Sequence, residues 1–205
     1  MKKVYVVLTR TNTLISRLIR YFTKDRYTHA AISLDLDLRH MYSFGRRWTY
    51  NPFIGGFKHE FLDQGAYKFS KQLPGVIVEL NVTEEQYMKI ESILNQFINN
   101  PKYYKYNYLG LINNIIHKDT YFANRFLCSE FVYYVLNECH VVNFNKPRSL
   151  VRPQDFLNLD GRIIYEGDLR ELENVATNAI PSPNLYFGII DGKLAKKLVN
   201  KLARL

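Results

Sequence analysis

The chain has 205 residues, 47% hydrophobic and 23% charged, which suits one globular domain with room for a tail and excludes disordered and low-complexity architectures. Its 28 basic residues outnumber 19 acidic ones, a formal charge of +9 that favours anionic partners such as phospholipid surfaces, acidic polymers or nucleic acid. The longest early apolar run, Val4 to Leu8, falls far short of a signal-peptide core or a spanning helix, so the expected location is the cytoplasm.

After Met1, the residues KKVYVVLTR have the β-branched and aromatic content of a strand, and Asn12 offers an N-cap for the amphipathic stretch TLISRLIRYF. There Leu14, Ile15, Leu18, Ile19 and Phe22 follow the spacing of a helix with one buried face. Thr28 to Leu36 reads as a buried strand, with Met41 to Arg46 as its antiparallel partner across a polar turn. Residues 47–74 carry Pro52, Gly55, Gly56, Gly65 and Pro74 among scattered aromatics and hold no single period, so they are expected to be irregular, as a lid or an insertion.

Gly75 to Val82 predicts a strand, and Thr83 to Gln86 resembles a capping box opening the helix TEEQYMKIESILNQFINN. Tyr106 to His117 predicts another helix, and FLCSEFVYYVLNEC a further one beginning near Asn124 or Leu127. GRIIYEG supplies a late strand. The order is mixed, without internal repeats, and gives an α+β class with a domain over 1–172 and a C-terminal extension over 173–205. In that extension Leu194, Leu198, Leu202 and Leu205 share one helical side among Lys193, Lys196, Lys197, Lys201 and Arg204. Such a helix suits either docking on the domain or, through 191–205, peripheral contact with an anionic membrane.

Both cysteines, Cys128 and Cys139, fall in the FLCSEFVYYVLNEC helix, about 16 Å apart by helical rise and beyond disulfide reach. A cysteine becomes a good nucleophile when its thiolate is stabilised by a helix N-terminus or an imidazole. Cys128 lies at the opening turn, whereas Cys139 lies at the end where the dipole opposes a thiolate. Of the five histidines, His29 starts a strand and has a fixed backbone, while His40, His59, His117 and His140 are expected in turns or at helix ends. A strand packed on the cysteine helix would hold His29 as a general base for Cys128. A structural histidine is the simpler alternative.

THAAISL, then MYSFGR, then FLCSEFVYYVL and RPQDFL resemble the circularly permuted papain-like cysteine hydrolases of the NlpC superfamily, the YiiX- and YaeF-like group. The resemblance spans roughly Val4 to Tyr165, with the histidine strand before the cysteine helix. It implies a papain-like core, an antiparallel sheet packed against the cysteine-bearing helix, with Cys128 as nucleophile and His29 as base. A third, polar residue would lie on the strand after the histidine strand, and matching MYSFGR to that strand puts Ser43 there. Serine stabilises an imidazolium less than a carboxylate does, so Asp35, Asp37 or a backbone carbonyl are alternatives.

The implied chemistry is attack on an amide or ester carbonyl through a thioester acyl-enzyme, giving hydrolysis or, with another acceptor, acyl transfer as in lecithin:retinol acyltransferase-like enzymes. An apolar lid of Trp48, Phe53 and Phe57 beside Arg46 and Arg47 would suit a lipid-like or peptide substrate with an anionic group. Two other classes compete: a catalytically inactive papain-like binding module, and a nucleic-acid binder using 16 Tyr and a basic groove, for which no recognised motif is present. No metal-ligand spacing and no phosphate loop appear, so no cofactor is expected.

Overall fold

The computed structural model describes residues 1–11, 14–46, 55–68 and 70–172; the expectations for Asn12, for the loop 47–54 and for the extension 173–205 lie outside these residues. The chain is α+β. Its strands are β1 (Lys2–Thr9), β2 (His29–Ser33), β3 (Met41–Arg46), β4 (Gly55–Glu60), β5 (Pro74–Val82), β6 (Lys105–Tyr106), β7 (Arg125–Phe126) and β8 (Arg162–Asp168). They form one sheet in the order β7-β6-β4-β3-β2-β1-β5-β8, antiparallel throughout except for β6 with β7. The helices are α1 (Leu14–Thr23), the single turn α2 (Gly65–Lys68), α3 (Glu84–Asn99), α4 (Tyr108–Ile115) and α5 (Cys128–Glu138).

The run VYVVL belongs at the centre of this sheet because β1 is covered on both faces. Val4, Val6 and Leu8 join a core shared with α3 and α5, while Tyr5 and Val7 join a smaller core with Met41, Tyr67, Leu73 and Leu169. The expected hairpin is present, with Ile32 opposite Tyr42 and Ser33 opposite Met41. Helix α3 starts at the capping box, in which the Thr83 hydroxyl accepts the Gln86 N–H and the Gln86 side chain accepts the Thr83 N–H. It buries Ile90, Ile93, Leu94 and Phe97 at the spacing of a single helical face. Phe44, Phe57, Phe97, Phe126 and Phe131 join sheet and helices, with ring centroids 5.1 to 5.9 Å apart in the pairs that touch.

Two expectations need correction. The segment 47–74, taken as irregular, contains β4 and α2: GGFKHE has weak strand propensity, but pairing along all of β3 supplies the bonds. That places His59 inside a strand. On helix α1, Phe22, expected on the buried face, is 56% exposed, while the polar Ser16 is buried and bonds Thr11 and Thr28; the side chains of Leu14, Ile15 and Leu18 lie outside what is described. Of the two starts expected for the cysteine helix, the structure takes the later one, with Leu127 as N-cap and Cys128 first. Among the described residues no helix is long and apolar enough to cross a membrane.

Candidate active site

Helix α5 fixes Cys128 at its first position. Leu127 is the extended N-cap, and the first backbone bond runs from Phe131 N–H to Leu127 C=O at 3.0 Å, so the N–H groups of Cys128 and Ser129 lack an acceptor within the helix. Glu130 folds back over this end and accepts the Leu127 N–H at 2.6 Å and the Asn107 side-chain amide at 3.2 Å. Asn107 is itself held by Gly110 N–H, and a side chain at 110 would collide with it. Burial raises the Glu130 pKa despite these bonds. Cys128 is 8% exposed and lines a cleft shared with His29 and Glu60.

His29 opens β2, and the RPQDF segment holds the chain leading into it. Gln154 lies in the 3-10 helix Pro153–Asn158, and its side-chain oxygen accepts the N–H groups of Arg26 at 3.1 Å and Tyr27 at 3.4 Å. Arg152 pairs with Asp25 at 3.5 Å. From the other direction, the Ser129 hydroxyl donates to Val151 C=O at 2.6 Å. One short segment therefore braces both the strand carrying the imidazole and the helix carrying the thiol.

The imidazole lies across β3 toward β4. Its Nε2 is 3.0 and 3.2 Å from the two carboxylate oxygens of Glu60, a side chain only 1% exposed. Gly45 leaves room for the Lys58 side chain beside the ring: a Cβ there would lie 3.0 Å from Lys58 Cε. Lys58 Nζ also sits 2.5 Å from Glu60, and Tyr67 donates its hydroxyl to the same carboxylate at 2.9 Å. With Nε2 engaged by Glu60, Nδ1 is the ring nitrogen left for the Cys128 thiol.

Burial alone would lower the His29 pKa, but the Glu60 charge, the Cys128 sulfur, and hydrogen bonds to both raise it to about 10. Burial alone would raise the Glu60 pKa, yet His29 and Lys58 hold it well below the usual carboxylate range. The pair is an imidazolium and a carboxylate through neutral pH. Cys139 differs in kind, being 2% exposed, with its thiol pushed by burial up to about 11.

Ser43, expected to bond the imidazole, makes no hydrogen bond to it. It is fully buried on β3 and its hydroxyl has no hydrogen-bond partner, because Glu60 on the next strand fills the place opposite the ring. Asp35 is engaged by His40 at 2.5 Å and by the Arg39 N–H at 2.8 Å, and does not reach His29. Ser43→Ala is therefore expected to leave Cys128 reactivity unchanged and the melting temperature equal or slightly higher, since it removes an unsatisfied buried hydroxyl. Parallel alkylation and melting curves check this; loss of thiol reactivity would restore Ser43 to the site.

Phe57, expected to line the substrate cleft, is 6% exposed and packed among Phe44, Phe97 and Phe131 in the main core. Arg46 ends β3, while Arg47, Trp48 and Phe53 lie outside the described residues. Sequence reasoning missed Glu60, Tyr67 and Lys58. The available signal was the alternation in FKHE, which puts Lys58 and Glu60 on one face of a strand and Phe57 and His59 on the other. Among the described residues no cluster of three metal-ligating side chains forms. Compared with known protein families, curated proteins and solved structures, the chain finds no match in any of the three.

Proposed function

We propose that this protein is a thiol hydrolase of the permuted papain-like kind, acting on an amide or ester bond through a cysteine acyl-enzyme. One observation carries the reading: His29 stands between Cys128 and a buried carboxylate, Glu60, in an open cleft. The imidazolium stabilises the Cys128 thiolate, and the unpaired N–H groups at the start of α5 add to that stabilisation.

In the proposed reaction the thiolate attacks the carbonyl carbon, and the resulting oxyanion is met by the Cys128 backbone N–H. His29 passes its proton to the departing amine or alkoxide, leaving a thioester. Water then attacks the thioester with neutral His29 taking its proton, the acid leaves, and the thiolate–imidazolium pair is restored. An acceptor other than water turns the same sequence into acyl transfer. Glu60 keeps the ring oriented and balances its charge throughout. The alternative of an inactive module drew its support from a weak third residue, and a carboxylate against the imidazole removes that support. Ile19 and Tyr106 on the cleft walls suit an acyl or other apolar substituent next to the scissile bond.

Iodoacetamide at neutral pH tests the activated thiol. Cys128 is expected to react at least tenfold faster than a model thiol while Cys139 stays unmodified, and a short-chain p-nitrophenyl ester is expected to leave an acyl group on Cys128 by mass spectrometry. Alkylation no faster than the model thiol would sink the proposal, as would label distributed equally between both cysteines.

A further inference from the structure

Helix α1 leaves an exposed aromatic pair beside the cleft. In a helix that only had to pack on the domain, the aromatic residues would face in and Ser16 out. Here Ser16 is buried, and Tyr21 and Phe22 form an edge-to-face pair, 5.3 Å between centroids, that projects into solvent. Helix α4 packs against α1. Both helices also wall the crevice at the nucleophile, where Ile19 and Thr23 of α1 face Leu111 and Asn114 of α4 around Cys128.

Charge is concentrated in the same two stretches. Residues 10–26 contain Arg10, Arg17, Arg20, Lys24 and Arg26 against a single acid, Asp25, and that acid is buried and paired with Arg152. Residues 99–118 contain Lys102, Lys105 and Lys118 and no acid. Arg17 and Lys24 are exposed on α1 and at its end. Exposed aromatic and aliphatic side chains bordered by cations, on a short helix at the mouth of a cleft, match the chemistry of an anionic bilayer interface, where rings enter the acyl boundary and cations meet phosphates. A protein partner would need acidic groups to meet these cations and a shaped apolar surface to meet the rings; a phosphatidylserine-rich leaflet supplies both without shape.

We propose that the outward side of α1, carrying Tyr21, Phe22, Arg17 and Lys24, docks the protein on anionic phospholipid membranes and sets the cleft mouth against the lipid surface. The docking does not depend on the hydrolase reading. It differs from contact through 191–205, which lies elsewhere in the chain.

Sedimentation of the full chain with vesicles tests it. Wild-type protein is expected to partition onto vesicles of equal parts phosphatidylcholine and phosphatidylserine, and not onto phosphatidylcholine alone. The double variant Tyr21→Ser, Phe22→Ser is expected to lower that partition roughly tenfold or more, as buried aromatic area is lost. Arg17→Gln with Lys24→Gln is expected to lower it roughly twenty-five-fold, about fivefold per cation. All variants keep the segment 191–205, so its contribution is common to each, and unchanged iodoacetamide labelling of Cys128 reports an intact fold. Absence of wild-type binding, or equal binding to both vesicle types, overturns the proposal. So does retained binding in either variant; retention by the aromatic variant alone would mark a general polyanion surface. Failure of Cys128 to react quickly would count against the hydrolase and leave this result untouched.

Discussion

Glu60→Gln is expected to lower stability by about 3 kcal/mol and to slow the proposed chemistry by about 10²- to 10⁴-fold. The carboxylate is 1% exposed and balances two positive groups, the His29 imidazolium and Lys58. The amide can still bond the ring and Tyr67, but it removes the charge and leaves two cations facing each other. Lys58 is 23% exposed and can turn toward solvent, which puts the loss at the lower end of the range for breaking a buried ion pair. For a chain of this size the melting temperature is expected to fall by roughly 6 to 12 °C. The catalytic loss follows because the ring no longer has a fixed tautomer or a counter-charge when protonated. Thermal melts and esterase turnover of the variant beside Ser43→Ala decide the matter: if both readouts match wild type, Glu60 is not the partner that matters.

His29→Ala is expected to abolish rapid alkylation of Cys128 and to reduce stability in a pH-dependent way. The folded pKa of His29, about 10, stands above its ordinary value of 6.5, so folding favours the protonated ring. Its contribution is complete below about pH 6.5, declines as pH rises, and is gone above about pH 10. Glu60 has the opposite sign: its depressed pKa stabilises the fold above the usual carboxylate range and loses that contribution as pH falls through its folded value. The pair therefore contributes most between about pH 4.5 and 6.5. Urea unfolding of wild type and variant from pH 4.5 to 10 measures this directly. A difference that stays constant across the range would contradict a charged imidazole in the native state.

Local pattern made much of the fold legible. The Thr83 capping box, the buried-strand run THAAISL with MYSFGR across a polar turn, and the apolar spacing of α3 are signals carried within a few residues, and each element is present. The region around β4 was opaque because GGFKHE has no β-branched residue, and its strand state comes from β3, a partner that no local window contains. Glu60 was hidden for the same reason, since an acid in an apparently irregular stretch gives no hint of being buried against an imidazole 31 positions earlier. Phe57 misled in the other direction: an aromatic beside glycines suits a cleft wall as well as a core, and only the convergence of Phe44, Phe97 and Phe131 on it decides between them. The orientation of α1 was invisible too, because helical periodicity locates an apolar face without saying whether the domain or something outside it receives that face.

The brace formed by residues 149–155 bears on how the molecule is made. Synthesis runs from the N-terminus at about 5–20 residues per second, so the imidazole and its carboxylate leave the ribosome several seconds before the sulfur, and the segment that grips both follows later still. Gln154 on the backbone of Arg26 and Tyr27, and Val151 on the Ser129 hydroxyl, add a second grip to the direct packing of α5 on β2. On the proposed reaction, a nick between Ser129 and Gln154 would cut this grip and slow turnover while leaving every reactive side chain in place.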